Sequence, residues 1–241
     1  MSLLTLDNVT KRFGGLTAVN GLSFPLHAGE TVGLLGPNGS GKTTALNMVS
    51  GYLPVSGGTI ALGGALISTL PPEQIAHRGI ARTFQLVRAL PSLTVGDNVL
   101  AALAFRKTPL WGHAATAQIE TLLADVGLGG RANHPADSLT YIDLKRMELA
   151  RALATDPQLL LLDEWLAGLN PTELRTGIEL ITSLGRRGIT ILMVEHVMDA
   201  IRALCTRCIV MNTGTKIADG PTAEVLADPE VVRAYLGDDH A

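Results

Sequence analysis

The sequence predicts an α/β protein: a parallel-sheet core, an antiparallel β segment ahead of it and a helical insert in the middle. Three observations carry this. Through the second half, short apolar runs alternate with helix-spaced segments: LLLLDE, 171–187, ITILMVEH, 197–204 and CIVMN. That order is produced by parallel strands joined through crossover helices. Residues 2–9 and 17–34 instead alternate or run apolar in short segments, with turns at Gly14-Gly15 and Ala28-Gly29. Between about 86 and 155 the spacing turns helical.

Taken in order, residues 2–34 read as antiparallel β, and GGTIALGGALI at 57–67 reads as a hairpin with a glycine turn. TVGLL is an apolar strand that opens into GPNGSGKT at 36–43, followed by the helical TTALNMVSG. Helices are expected at 95–106, 114–126 and 141–154, separated by Gly and Pro. LLLLDEW at 159–165 is too short for a helix of its own and follows Asp156-Pro157, so it reads as a strand buried on both faces. Asp163 and Glu164 then emerge at its carboxyl end, the edge at which open α/β sheets bind ligands. The tail, GTKIADGPTAEVLADPEVVRAYLG, reads as a small hairpin followed by short helices.

Bulk properties narrow the partners. Aromatic residues are 4% of the 241 and the formal net charge is −3. Both speak against nucleic acid as the main partner. No stretch approaches the roughly 18 apolar residues of a membrane span. The start, MSLLTLDNVTKRF, places its charges after its apolar run, the wrong order for a signal peptide. A cytosolic chain is expected; if it works at a membrane, another chain supplies the membrane part. Cys205 and Cys208 form a lone C-x-x-C with no second pair nearby, and are expected to be reduced, structural residues near a strand start.

The chemistry begins at residues 36–43, which match G-x-x-x-x-G-K-[ST] between a strand and a helix. Glycines let backbone N–H groups turn inward around phosphate oxygens, and the following helix N-terminus adds partial positive charge. Gly36, Pro37, Asn38, Gly39, Ser40, Gly41, Lys42, Thr43 and Thr44 are therefore the expected phosphate cradle. Lys42 reaches the β- and γ-phosphates and the Thr43 hydroxyl can ligate Mg²⁺. A nucleotide–Mg²⁺ complex needs a carboxylate on a neighbouring strand end: Asp163 fits as the Mg²⁺ partner, mostly through water, and Glu164 as the base that polarises an attacking water. An ATPase using ATP and Mg²⁺ is the reading.

Here the sequence resembles ATP-binding subunits of ABC transporters, over essentially its whole length. GPNGSGKTT resembles Walker A and LLLLDE resembles Walker B with its catalytic glutamate. TFQ at 83–85 is similar to the Q-loop, which implies that Gln85 contacts Mg²⁺ and water and senses the membrane partner. LTYIDLKRMELARAL at 139–153 occupies the signature position, AGLNP at 167–171 resembles the D-loop, and VEH at 194–196 makes His196 the switch histidine. Phe13, in KRFGG, matches the aromatic that stacks on adenine. The family implies an ABC-type P-loop NTPase with an antiparallel β subdomain, a RecA-like core (1–85 and 156–241) and a helical lobe (86–155), one domain over 1–241. It also implies a groove beside Gln85 that receives a permease helix, and a head-to-tail dimer of ATP-binding subunits, homomeric or heteromeric.

GIARTFQLVRALPSLTVGDNVLAA, AGLNPTE and DPEVVRAYLG narrow the resemblance to high-affinity branched-chain amino-acid importers, whose relatives also serve urea and short amides. A peripheral position on the inner face of the membrane follows, with a periplasmic binding protein as an indirect partner. Two alternatives stay open: a subunit that binds nucleotide but hydrolyses weakly, and a soluble ABC ATPase without a permease.

Two departures from the family pattern matter. Trp165 stands where the family usually has proline after the glutamate, and is expected to pack on a partner subunit or on its own helical lobe. The family's Leu-Ser-x-Gly-Gln is here Leu139-Thr140-Tyr141-Ile142-Asp143. Thr140 keeps a hydroxyl for a γ-phosphate on the opposite subunit. Ile142 adds bulk, and Thr140 with Asp143 forms an [ST]-x-x-[DE] capping pattern that would satisfy the helix's own N–H groups and offset its dipole. A crowded, less positive surface and unequal sites in a heterodimer are the expectation.

Overall fold

The structure, a computed structural model, describes residues 2–236; Met1 and residues 237–241, including the final Gly237 of the DPEVVRAYLG segment, lie outside it. The elements are β1 (Ser2–Phe13), β2 (Leu16–His27), β3 (Thr31–Leu35), α1 (Lys42–Val49), β4 (Gly57–Leu62), β5 (Ala65–Leu66), α2 (Pro72–His77) and β6 (Ile80–Arg82). The helical lobe follows with α3 (Val95–Phe105), α4 (Gly112–Asp125) and α5 (Tyr141–Leu153). The chain closes with β7 (Leu159–Asp163), α6 (Pro171–Arg186), β8 (Thr190–Val194), α7 (Met198–Leu204), β9 (Arg207–Asn212), β10 (Thr215–Pro221), α8 (Thr222–Val225) and α9 (Pro229–Leu236).

Two sheets result. The antiparallel one runs β2-β1-β4-β5, and Gly63-Gly64, both at positive φ, close the tight β4–β5 turn that the sequence predicts. The second runs β10-β9-β3-β8-β7-β6, parallel throughout except for β10 against β9. TVGLL, grouped by position with the antiparallel start, in fact forms β3 at the centre of the parallel sheet, between β8 and β9. Asp163 is correspondingly not on the strand next to β3: β8 separates the two. Sequence reading gave no warning of α2 and β6. Six and three residues are too few to show a period.

The four leucines of β7 divide between two cores. Leu159 and Leu161 join Leu4, Leu6, Phe24 and Leu46 under the antiparallel sheet; Leu160 and Leu162 join Val99, Leu123 and Ile181 on the helical side. Side chains two apart share a face, so an unbroken apolar run is what a strand covered on both sides requires. Each buried leucine contributes about 1.5–3 kcal/mol, and together they fix the strand whose end carries Asp163 and Glu164. Helix starts are equally specified: Thr94 with Asp97 and Asn170 with Glu173 close reciprocal capping boxes at α3 and α6, the latter with Pro171 in the first turn. Cys205 and Cys208 are both free and buried, as expected.

Candidate nucleotide site

All the parallel strands end at one edge. β3 delivers the glycine-rich loop there, β7 delivers Asp163 and Glu164, β8 delivers His196, and β6 leads into Gln85. The loop admits no side chains at two points. A Cβ on Gly36 (φ +142°) would lie 2.0 Å from the Met211 carbonyl oxygen, and one on Gly41 (φ +103°) 2.5 Å from that of Ala18. Gly41 caps α1 without a side-chain acceptor, so the helix's first N–H groups keep their donors for a ligand. Beside them a hollow of about 230 Å³ is lined by Asn38, Gly39, Gly41, Thr43 and Thr44, with Lys42, Ala18 and Glu164 completing the wall. The buried Ser40 hydroxyl has no hydrogen-bond partner among the described residues.

Lys42 folds back over this loop and donates to the carbonyl oxygens of Gly36 (2.7 Å) and Pro37 (2.9 Å). Burial pulls its pKa below the ordinary lysine value, and the carboxylates of Glu164 and Asp163 partly restore it. A cationic donor, hydroxyls and free helix N–H groups around a glycine-lined hollow form a phosphate-shaped donor set.

Glu164 is bracketed. Gln85 Nε2 donates to its Oε2 at 2.8 Å, and His196 Nε2 lies 3.0 Å from its Oε1. Two side chains from just beyond β6 and β8 thus converge on the carboxylate just beyond β7, beside the lysine. Asp163 is deeper, with its side chain 5% exposed, and accepts from Arg82 Nη2 at 2.7 Å. Phe13 and Thr140 stand apart from this cluster. Phe13 is half-exposed at the end of β1 opposite Leu16, on the hairpin whose Ala18 lines the hollow. Thr140 caps α5 at the edge of the lobe.

At Thr140 the structure departs from the expected capping. The Thr140 hydroxyl accepts from the Asp143 N–H at 3.4 Å, but the return bond is missing. The Asp143 carboxylate turns instead to Arg131 (2.7 Å) and Arg146 (3.1 Å), which compensate its charge. Ile142 is buried rather than set on the surface. At this helix start the Asp143 charge is therefore paired and the Ile142 side chain is turned inward. Trp165 is 1% exposed and donates from its indole N–H to the Lys145 carbonyl of α5 (3.1 Å), so it packs on its own helical lobe.

Sequence reasoning passed over four residues here. Arg82 binds Asp163, Asn47 (2.6 Å) and Ser50 (3.0 Å) at once. Lys145 donates to three carbonyls just beyond β7. Glu195 accepts from the Leu166 N–H at 2.6 Å, and burial pushes its pKa up to about 7. The Tyr235 hydroxyl accepts from the Gly36 N–H at 2.7 Å. A signal existed for two of them: Arg82 is a cation in a buried strand, and Lys145 stands three residues after Ile142 and four before Leu149, on the helix's inner face.

The family model described as ABC transporter matches residues 19–167. The chain belongs to the ABC transporter ATP-binding family. A second family model, described as branched-chain amino acid ATP-binding cassette transporter, matches residues 215–241 of this ABC ATPase. It is 41% identical, over 98% of both chains, to the high-affinity branched-chain amino acid transport ATP-binding protein LivG of Salmonella typhimurium. It is 36% identical, over the same shares, to BraF of Pseudomonas aeruginosa, which carries the same description. Among solved structures, the ADP conformation of the ABC transporter cassette MJ1267 matches with a TM-score of 0.89 at 30% identity, over 99% of this chain and 100% of that one. The ADP- and Pi-bound dimer of the cassette MJ0796 matches with a TM-score of 0.81 at 25% identity, over 91% of this chain and 98% of that one. Membership of this family implies nucleotide binding. Among the described residues no helix is long and apolar enough to cross a membrane.

Proposed function

We propose that this ABC ATPase binds and hydrolyses ATP to energise an importer of branched-chain amino acids or related small solutes. The observation that carries the chemistry is Glu164 held between Gln85 and His196 beside Lys42. The loop 36–44 binds the phosphates, and Lys42 leaves its own carbonyls for the β- and γ-phosphate oxygens. Glu164 accepts the proton of the attacking water. His196 orients Glu164 and the terminal phosphate, and Gln85 fixes the water. Phe13 stacks on the adenine. Thr43, Gln85 and Asp163 offer the oxygen donors a hard divalent cation prefers, and bound Mg²⁺ would neutralise charge on the phosphate oxygens.

Thr140 faces the γ-phosphate of a second ATP-binding subunit. The pairing of Asp143 with two arginines and the burial of Ile142 favour this reading over the weakly hydrolysing alternative. A cleft of about 410 Å³ flanks the Gln85 loop, lined by Tyr52, Phe84, Arg88, Glu148 and Arg151, and suits a cytoplasmic helix of a permease. The chain would then sit on the inner face of the membrane, with a periplasmic binding protein as an indirect partner and no role for nucleic acid. The solute class rests on the descriptions of LivG, BraF and the C-terminal family model. The test is purification of the chain with its permease from membranes and reconstitution in vesicles. ATP turnover should rise with binding protein loaded with leucine, isoleucine or valine. Recovery as a soluble chain with no membrane protein attached would sink the importer reading.

A further inference from the structure

We infer that Lys145, paired with Trp165, is a positioning residue for the carboxylate of Glu164, tying the signature helix of this chain to its own hydrolytic site. The inference rests on the reading of Glu164 as the base.

Lys145 is 2% exposed, on the inner face of α5 with Ile142, Leu149 and Ala152. An ammonium in such a place must match its three donors. It does: Nζ donates to the carbonyl oxygens of Trp165 (2.8 Å), Ala167 (2.9 Å) and Glu164 (3.3 Å). All three acceptors lie in the segment that leaves β7. The same contact is made in reverse by Trp165, whose indole N–H donates to the Lys145 carbonyl at 3.1 Å. A proline at 165, usual in the family, has no side-chain donor for that bond.

The clamped segment is strained where the chemistry lies. Glu164 has φ +50°, a left-handed conformation that a residue with a Cβ keeps only where its surroundings over-determine it. Here β8 accepts the Glu164 N–H at Val194 O (2.8 Å), Glu195 accepts the Leu166 N–H, and Lys145 gathers the carbonyls. The backbone turn sets the direction in which the Glu164 side chain leaves, between Gln85 and His196. Thr140, five residues before Lys145, starts the same helix. A shift of the lobe that presents Thr140 to a partner's nucleotide is thereby transmitted to Glu164 of the same chain.

The test uses the assembled transporter with Lys145→Met, Lys145→Arg and Trp165→Phe, each checked by thermal unfolding. Lys145→Met should lower kcat at least about tenfold while leaving the KM for ATP within about threefold, because the loss falls on the transition state. Lys145→Arg, which keeps a cationic donor, should recover most of that loss. Trp165→Phe keeps the ring and removes the N–H, and should lower kcat about threefold. Single-turnover rates locate the effect: added to Glu164→Gln, Lys145→Met should change the residual rate by less than about twofold, since residues acting as a unit are not additive. A folded Lys145→Met with wild-type kcat, or effects that multiply fully with Glu164→Gln, would overturn the proposal. Should Lys145→Met fail to fold, unchanged kcat in Trp165→Phe overturns it instead. Normal turnover by Glu164→Gln itself would mark a different failure, that of the base assignment.

Discussion

Replacing Arg82 with methionine should destabilise this chain by about 3–5 kcal/mol, the range for removing one member of a buried ion pair. The side chains of Arg82 and Asp163 are 6% and 5% exposed and meet at 2.7 Å, so Asp163 would be left charged, largely buried and without its guanidinium partner. The same guanidinium holds Asn47 and Ser50 of the α1 region and stacks over Phe84 and Tyr52, 5.1 and 5.9 Å from the ring centroids. Its loss therefore unpairs the Walker A helix from the Walker B strand as well. Against a total stability of roughly 5–15 kcal/mol, this is a large share. Urea unfolding at neutral pH measures it, with an unchanged slope marking an unchanged unfolded state. Adding Asp163→Asn removes the stranded charge, so the double variant should be more stable than the sum of the single losses by at least about 1 kcal/mol. A cost below about 1 kcal/mol for Arg82→Met, or strict additivity, would refute the view that this pair ties the two motifs together.

Other expectations follow from single contacts. Lys42→Ala removes the cationic phosphate donor and should weaken ATP binding about ten- to a hundredfold in a fluorescent-nucleotide titration, with folding intact. Glu195 has its pKa raised from the ordinary 4.5 to about 7, so the folded state holds the proton more tightly than the unfolded one. Its contribution is fully present below pH 4.5 and is lost as pH rises to 7, by up to about 3 kcal/mol. Glu195→Gln should accordingly match wild type near pH 5 and unfold at a higher temperature near pH 8. Asn170→Ala strips the α6 cap, which accepts from the N–H groups of Thr172 and Glu173 at 3.0 Å each, and should cost about 1 kcal/mol of stability without changing ATP affinity.

The residues whose role is set by backbone chemistry were legible in the sequence. The glycines of GPNGSGKT, expected to turn N–H groups inward, gain a steric reason at Gly36 and Gly41, where a Cβ would meet the carbonyl oxygens of Met211 and Ala18, and LLLLDE is apolar on both faces because β7 is covered on both faces. Gln85 and His196 were assigned to the site only by the order of family motifs, and their contacts with Glu164 were not foreseen, because no local pattern encodes them. Beyond the short α2 and β6, what escaped were partners rather than elements. Arg82 and Asp163 are 81 residues apart, and Lys145 and Trp165 are 20 apart on different elements. Long-range pairing is fixed by sheet order, which periodicity does not encode: the interposition of β8 between β3 and β7 was missed for the same reason. At the signature helix, the local [ST]-x-x-[DE] pattern was real but the tertiary pairing of Asp143 with Arg131 and Arg146 overrode half of it.

The most direct measurement is phosphate release in a single turnover by the assembled transporter carrying Glu164→Gln, with the partner subunit's own site disabled. If Glu164, bracketed by Gln85 and His196, takes the proton from the attacking water, the variant should bind ATP with wild-type affinity and remain in an ATP-bound dimer. Its phosphate release should be slowed by at least about a hundredfold, the scale of a lost general base. Phosphate release at the wild-type rate would contradict the account, because among the described residues no other carboxylate joins Lys42 in lining the hollow.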